Sequence, residues 1–300
     1  MIQQTALLIS PLAKNAYFQE YLEVAKAELS WVTQLEDLQH QSVGGMDFLF
    51  LSVEEGRLGT LSSLSFVQGI FKCEGSTLIP LAIKPEYKLH EDFVFGAKFR
   101  GKTNELLTQM LLNVGLKTID CTAVESVKLL DPMCGRATTL LWGMRYGMKV
   151  KGIEQDVKAL ADIRQNVKKW CKIYRQKHQM KEGFVGKSNK RNDGKFLDFS
   201  AEGASMRIIT GDSASASELL GGEKFHLIVS DLPYGIQHFT TEKTRNPVVV
   251  LKACAEGWVE SLKPGGAMVL SYNRYIPRRE ELIDVFSSYG MEEQGFSASH

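Results

Sequence analysis

The sequence is poor in the features that would place a protein outside the cell or in a membrane. Its five cysteines (Cys73, Cys121, Cys134, Cys171 and Cys254) are scattered, odd in number and lack any paired metal-ligand spacing. That argues against a disulfide scaffold or a structural metal and for a reducing compartment. No stretch approaches the roughly 20 uninterrupted apolar residues that span a bilayer. The start, Met1-Ile2-Gln3-Gln4-Thr5, lacks the basic residues and long apolar core of a secretory leader. A cytoplasmic chain with no membrane association is expected. There is no internal repeat, and no Ser-His-Asp set or paired metal ligands to suggest hydrolysis. The net charge is only +1, so partners must be sought in how charge is distributed. With 44% hydrophobic residues, a chain of 300 can bury one large core or two smaller ones.

Two segments carry most of the information. Leu129-Leu130-Asp131-Pro132-Met133-Cys134-Gly135-Arg136-Ala137-Thr138-Thr139 reads as a buried strand, a tight turn of mostly small residues and the start of a helix. A glycine in such a turn lets the backbone approach a ligand closely, and a helix N-terminus beside it often builds a nucleotide site. About a hundred residues later, Val229-Ser230-Asp231-Leu232-Pro233-Tyr234-Gly235 reads as an apolar strand ending in an acid, a proline and an aromatic. Such an end offers an acceptor for an amino group and a face for a flat ring, although Asp and Pro also favour plain turns. Between them, Val150-Lys151-Gly152-Ile153-Glu154 is a strand ending in an acid 23 positions after Asp131. That is near the spacing of about 20 expected for a carboxylate that grips a ribose diol. The competing reading is a charge favoured at a helix N-terminus. Residues 133–138 hold one glycine, so the dinucleotide fingerprint is not met.

The ordered pair of segments resembles motif I and the Asp/Asn-Pro-Pro-Tyr motif of class I S-adenosylmethionine-dependent methyltransferases that modify exocyclic amines. Within that class the chain is most similar to RNA methylases whose relatives often carry a THUMP domain and methylate guanine N2. The resemblance covers roughly residues 93–300. It implies a cofactor site formed by Asp131, Met133, Cys134, Gly135, Arg136, Glu154, Gln155, Asp212 and Ser213, with no metal. In the family's turn, Arg136 stands where a serine is usual and Ala137 where a glycine is. Alanine there allows close approach only with a negative φ. Arg136 is expected to reach either the methionine carboxylate or an RNA phosphate, or to face solvent. Asp212 would accept from the adenine amino group while the next backbone N–H meets a ring nitrogen; a helix N-cap is the alternative. The resemblance also implies catalytic roles for Asp231, Leu232, Pro233 and Tyr234. The Asp231 carboxylate and the Leu232 carbonyl would accept the two amino hydrogens, Pro233 would stiffen the turn, and Tyr234 would stack an extruded base.

Strands are expected at 127–131, 148–153, 206–210, 225–230 and 266–272, and helices at 138–146, 156–178, 213–220, 247–262 and 277–289. Strand-helix alternation of this kind implies an α/β fold, a doubly wound, mainly parallel Rossmann-like sheet with ligands at the strand C-termini. An amphipathic helix with Thr103 and Glu105 at its start precedes it, and Met291–His300 reads as one more strand. Residues 1–92 read as a smaller α+β accessory module, with a strand at 5–9, a helix at 14–30 and strands at 46–53 and 66–83 broken by glycines. Residues 93–300 are the methyltransferase domain on this reading.

From Arg164 to Lys195 the sequence holds eleven basic residues against two acidic ones. Within it, Phe184–Gly194 reads as a loop. Such asymmetry is either the footprint of a polyanion, here a structured RNA such as tRNA or rRNA, or a solvated helix face. The reaction expected is methyl transfer to a base nitrogen of RNA, guanine N2 before adenine N6 of RNA or DNA. Glutamine methylation of a protein and an RNA-binding module with an inactive pocket are the other readings. The sequence leaves the oligomeric state open.

Overall fold

A computed structural model describes residues 1–99, 102–119, 121, 123–185, 194–232, 247–273, 275–296 and 298. Two compact units result, Met1–Glu86 with Gly295–His300, and Tyr87–Gln294.

The first unit runs β1 (Ile2–Ile9), α1 (Pro11–Tyr17), α2 (Tyr21–Thr33), β2 (Gln39–Val43), β3 (Met46–Glu54), α3 (Leu58–Ser62), β4 (Val67–Glu74) and β5 (Thr77–Leu81). Its strands order as β2-β3-β1-β4-β5, with every neighbouring pair antiparallel. β1 and β2 are therefore parallel with β3 between them, and β3 and β4 parallel with β1 between them. This is the split-βαβ, ferredoxin-like arrangement with β5 added. The single helix expected over 14–30 is broken at Phe18, whose φ is +48°. Of the strand expected over Met291–His300, the described residues form none: they are irregular, Gly295 has φ +76°, and the Phe296 ring stands edge-on to Trp31 at 5.5 Å.

The second unit runs α4 (Asp92–Phe95), α5 (Glu105–Thr118), β6 (Lys128–Asp131), α6 (Thr138–Arg145), β7 (Lys149–Glu154), α7 (Val157–Ile173), β8 (Gln179–Phe184), β9 (Lys195–Ala201), β10 (Ala204–Thr210), α8 (Ala216–Leu219), β11 (Phe225–Asp231), α9 (Pro247–Glu260), β12 (Leu262–Ser271) and α10 (Arg279–Ser287). Its seven strands order as β12-β11-β6-β7-β10-β9-β8. The five expected strands are mutually parallel, from β12 through β10. The central pair, β6 and β11, is buried on both faces and so reads as the apolar runs Leu129-Leu130 and Leu227-Ile228-Val229, all at 0% exposure. The chain leaves β6 toward β7 and β10, then returns to lay down β11 and β12 on the other side. The order thus reverses between β6 and β11, the place where doubly wound sheets open a ligand crevice.

Three local expectations are corrected. α5 is not amphipathic: residues 106–115 are all buried, and Gly115 is the contact point, since a Cβ there would stand 2.6 Å from Leu227 Cδ1. Its buried polar groups are bonded, Thr108 Oγ1 to the Asn104 carbonyl at 2.9 Å, Gln109 Nε2 to Tyr87 Oη at 3.1 Å, and Asn113 Oδ1 from Tyr146 Oη at 2.6 Å. The N-cap is Asn104 rather than Thr103, its Oδ1 accepting from the N–H groups of Leu106 and Leu107 at 2.9 and 3.1 Å. The basic stretch also contains a strand: α7 stops at Ile173, and β8, antiparallel to a β9 that begins at Lys195, extends the sheet beside β10. Among the described residues no helix is long and apolar enough to cross a membrane.

Candidate active site at the carboxyl edge of the parallel sheet

The topology brings four of the expected acids to one edge. Asp131 and Asp231 are the last residues of β6 and β11, Glu154 is the last of β7, and Asp212 follows β10 by two positions. Register confirms the alignment: Thr210 pairs with Glu154, Asp131 with Gly152, and Asp231 with Ser271.

Asp131 is 2% exposed and lies at the switch point. Its Oδ1 accepts from the Met133 N–H at 3.1 Å and from Ser230 Oγ at 2.8 Å, so the carboxylate ties the turn to the neighbouring strand. Burial pushes its pKa up to about 7 against these hydrogen bonds, and the nearby Asp231 adds to the rise. Unfolded, the group releases its proton near 3.8. Between those values the folded chain holds the extra proton, so the group's stabilising contribution is complete below about pH 4 and is lost as pH rises through about 7. Asp131→Asn keeps an Oδ1 acceptor for both donors. It is expected to flatten the decline in urea midpoint between about pH 5 and pH 8; an unchanged decline would mean that other groups cause it.

The turn itself is built on close packing. The Cys134 N–H donates to the Ile153 carbonyl at 3.0 Å, and Cys134 lies on Gly152, where a Cβ would stand 2.7 Å from its Sγ. The thiol is buried, and its pKa is raised by loss of solvent; the contribution of Cys134 to a ligand site is its backbone. Gly135 has φ +51°, and a Cβ there would meet nothing within 4 Å, so its face of the turn is open. Ala137 lacks the negative φ on which close approach at this position was conditional. It sits at +65° as the residue preceding α6, its N–H donating to the Cys134 carbonyl at 2.7 Å. That left-handed geometry costs an alanine about 1 kcal/mol relative to glycine. Arg136 faces neither open solvent nor the crevice alone: its guanidinium pairs with Asp156 at 3.3 Å and Asp162 at 2.9 Å, fastening the turn to α7. Met133 is half-buried in the core of the unit.

Glu154 is half-buried, and burial raises its pKa. Its carboxylate accepts from the Asp156 N–H at 2.7 Å and from the Gly135 N–H, so the acid and the turn hold each other in place. Gln155 beside it is exposed. Asp212 caps the short turn after β10 through the Ala214 N–H at 2.9 Å. The Ser213 hydroxyl accepts from Trp258 Nε1 at 3.0 Å, which points it into α9 and leaves the backbone as its means of meeting a ligand.

Asp231 accepts a short hydrogen bond from Ser271 Oγ, and the Leu232 N–H donates to the Ser271 carbonyl at 2.9 Å. The Leu232 side chain is 4% exposed and belongs to the core. Pro233 and Tyr234 lie outside the described residues, as do His238 and the segment 237–246. His226 is a packing group: its Nδ1 accepts from the Lys128 N–H at 2.9 Å and its Nε2 lies 2.8 Å from Lys263 Nζ.

Ser230, Ser271, Asp156 and Asp162 complete the edge and were not expected. A serine fully buried in an apolar strand signals a partner, so Ser230 was detectable in sequence. Ser271 was not, because its role depends on register. Among the described residues no group of acids, histidines and cysteines is placed to hold a metal.

No protein-family model matches the chain, and no curated protein does. Its fold is similar to several solved structures. TrmN from Thermus thermophilus is 15% identical over 83% of this chain, with a TM-score of 0.42; the chain spans 51% of that protein. The 16S rRNA N2 methyltransferase RsmC of T. thermophilus, in complex with AdoMet and guanosine, is 16% identical over 91% of this chain and 58% of its own, with a TM-score of 0.39. A TehB-like SAM-dependent methyltransferase from Corynebacterium glutamicum is 14% identical over 56% of this chain and 73% of its own, with a TM-score of 0.32. At such identities and TM-scores the likeness decides nothing about chemistry; the side chains must.

Proposed function

We propose that this chain is an S-adenosylmethionine-dependent methyltransferase acting on an exocyclic amino group of an RNA base, with guanine N2 as the target. The observation that carries the reading is the alignment of Asp131, Glu154, Asp212 and Asp231 on one carboxyl edge around a topological switch point. The residues fit such a cofactor. The open face of Gly135 admits a ligand against the backbone. Glu154 is a fixed acceptor for a vicinal diol, and Asp212 stands one strand away, where an adenine amino group would need an acceptor. An acid-rich edge also suits a sulfonium cation better than a pyrophosphate. When bound, the cofactor supplies an electrophilic methyl group.

On this reading the chain's own residues orient the amine. The Asp231 carboxylate accepts from one amino hydrogen and the Leu232 carbonyl from the other, which aims the nitrogen lone pair and stabilises the positive charge that develops on it. Pro233 and Tyr234 retain the roles their sequence suggests, a rigid turn and a stacking face. Rate comes mainly from orientation.

RNA as the substrate is supported by charge. The described basic residues of the 164–195 segment, among them Lys168, Lys172, Arg175 and Lys181, are all exposed. The β8–β9 connection starts and ends at Val185 and Gly194, whose backbones are bonded at 3.0 Å. Lys195 N donates to Thr210 Oγ1 at 2.5 Å, so the start of β9 lies beside the end of β10, two positions before Asp212. Lys187, Lys190 and Arg191 fall outside the described residues. Arg164 is spent on Glu182 at 2.8 Å.

The test is transfer of labelled methyl from S-adenosylmethionine to RNA, followed by digestion to nucleosides. Label in N2-methylguanosine is expected. Label in N6-methyladenosine would move the target atom, and label found only in protein or in no acceptor would overturn the RNA reading.

A further inference from the structure

We propose that Ser271, the last residue of β12, is the positioning residue of the reaction, holding both halves of the Asp231-Leu232 acceptor pair. The inference rests on the methyl-transfer reading above and adds a residue to it.

One register pairing and two hydrogen bonds carry it. Asp231 and Ser271 are register partners in the parallel β11–β12 ladder. One step beyond that pair, the Leu232 N–H donates to the Ser271 carbonyl at 2.9 Å, so the ladder continues past the acid into the motif. The Ser271 hydroxyl then donates to Asp231 Oδ1. One residue thus fixes the backbone of Leu232 by its carbonyl and the carboxylate of Asp231 by its side chain. An Asp χ2 torsion is broad and poorly self-fixing, so a hydroxyl bonded to one oxygen narrows the range of carboxylate orientations. A carboxylate can accept about four hydrogen bonds, and Ser271 takes one of those places on Asp231.

The same device recurs one strand over. Ser230 Oγ donates to Asp131 Oδ1 at 2.8 Å. The edge is therefore a staircase in which β12 supplies a hydroxyl to the acid of β11, and β11 supplies one to the acid of β6. The two steps differ in what they hold. The Ser230 step is buried and fixes the turn after β6, whereas the Ser271 step is half-buried at the crevice and fixes the acceptor of the amine.

A positioning role has a particular kinetic signature. Loss of the hydroxyl leaves the cofactor residues untouched but removes one of the bonds that orient the carboxylate, so kcat falls while binding of S-adenosylmethionine does not change. The experiment measures kcat and the dissociation constant for S-adenosylmethionine on the full chain as wild type, Ser271→Ala and Ser271→Thr. A fall in kcat of about 10- to 100-fold is expected in Ser271→Ala, with cofactor affinity retained and kcat largely restored in Ser271→Thr, which keeps the hydroxyl. Ser271→Cys, nearly isosteric and only a weak donor, gives the same reading should the alanine variant fold poorly, and is expected to behave like alanine. Undiminished kcat in both the alanine and cysteine variants overturns the proposal, as does a fall in kcat matched by an equal loss of cofactor affinity. An inactive wild type would instead strike the methyl-transfer reading itself.

Discussion

Asp231→Ala is expected to lower methyl transfer about a thousandfold while leaving affinity for S-adenosylmethionine within about twofold. The expected size follows from what the carboxylate does. On the proposed reading it holds the amine more strongly as positive charge develops on nitrogen, so its removal costs the transition state most and spares the bound cofactor. Asp231→Asn is the informative control, because the amide keeps an oxygen on the same rotor but loses the charge and adds a competing donor. An activity between those of alanine and wild type is expected. Rates at saturating cofactor, set beside a direct binding measurement, separate this from general damage. Equal losses of rate and affinity would assign Asp231 to the cofactor instead. Core packing around the position does not depend on the carboxyl group, since Leu232, Ile228 and Val229 supply the apolar burial.

Glu154→Ala carries the second large effect, and it falls on binding. The acid ends β7 with its carboxylate held by the N–H groups of Asp156 and Gly135. On the proposed reading it also accepts from the ribose hydroxyls. A hydrogen bond to a charged acceptor is worth about 1.5–3 kcal/mol, so the net loss of one such bond to the diol weakens S-adenosylmethionine binding by about 10- to 100-fold. Because Gly135 leans on the same carboxylate, the turn after β6 loosens as well, which adds to the loss. Glu154→Gln retains the carbonyl acceptor and is expected to lose less. Titration of the three proteins with the cofactor checks this. Unaltered binding in Glu154→Ala would return the residue to the competing role, a charge at the start of α7.

Much of the edge was legible in the sequence because it is written locally. A fully buried parallel strand has to be an apolar run, and Leu129-Leu130 and Leu227-Ile228-Val229 are such runs; the acid that ends each is then necessarily at the carboxyl edge. The small residues of 134–137 announced a turn, though not that Arg136 would turn back onto Asp156 and Asp162 of α7 or that Ala137 would take a positive φ. Both depend on where α7 starts in space. The hairpin β8–β9 was hidden by its own charge. Leu197, Phe199 and Ala201 alternate inward as a half-buried strand requires, yet they follow a run of lysines that reads as loop. The burial of α5 was equally invisible, since Gln109 and Asn113 look like a polar face until Tyr87 and Tyr146 are brought to them. Ser271 illustrates the limit most clearly. Nothing in its neighbours marks it, and only the register of two parallel strands sets it against Asp231.

The central claim is that this edge binds S-adenosylmethionine, and calorimetric titration of the full chain with that cofactor tests it most directly. Saturable binding with a dissociation constant on the order of micromolar, about −8 kcal/mol, is predicted. A chain shown to be folded by its thermal transition that takes up no cofactor would contradict the account.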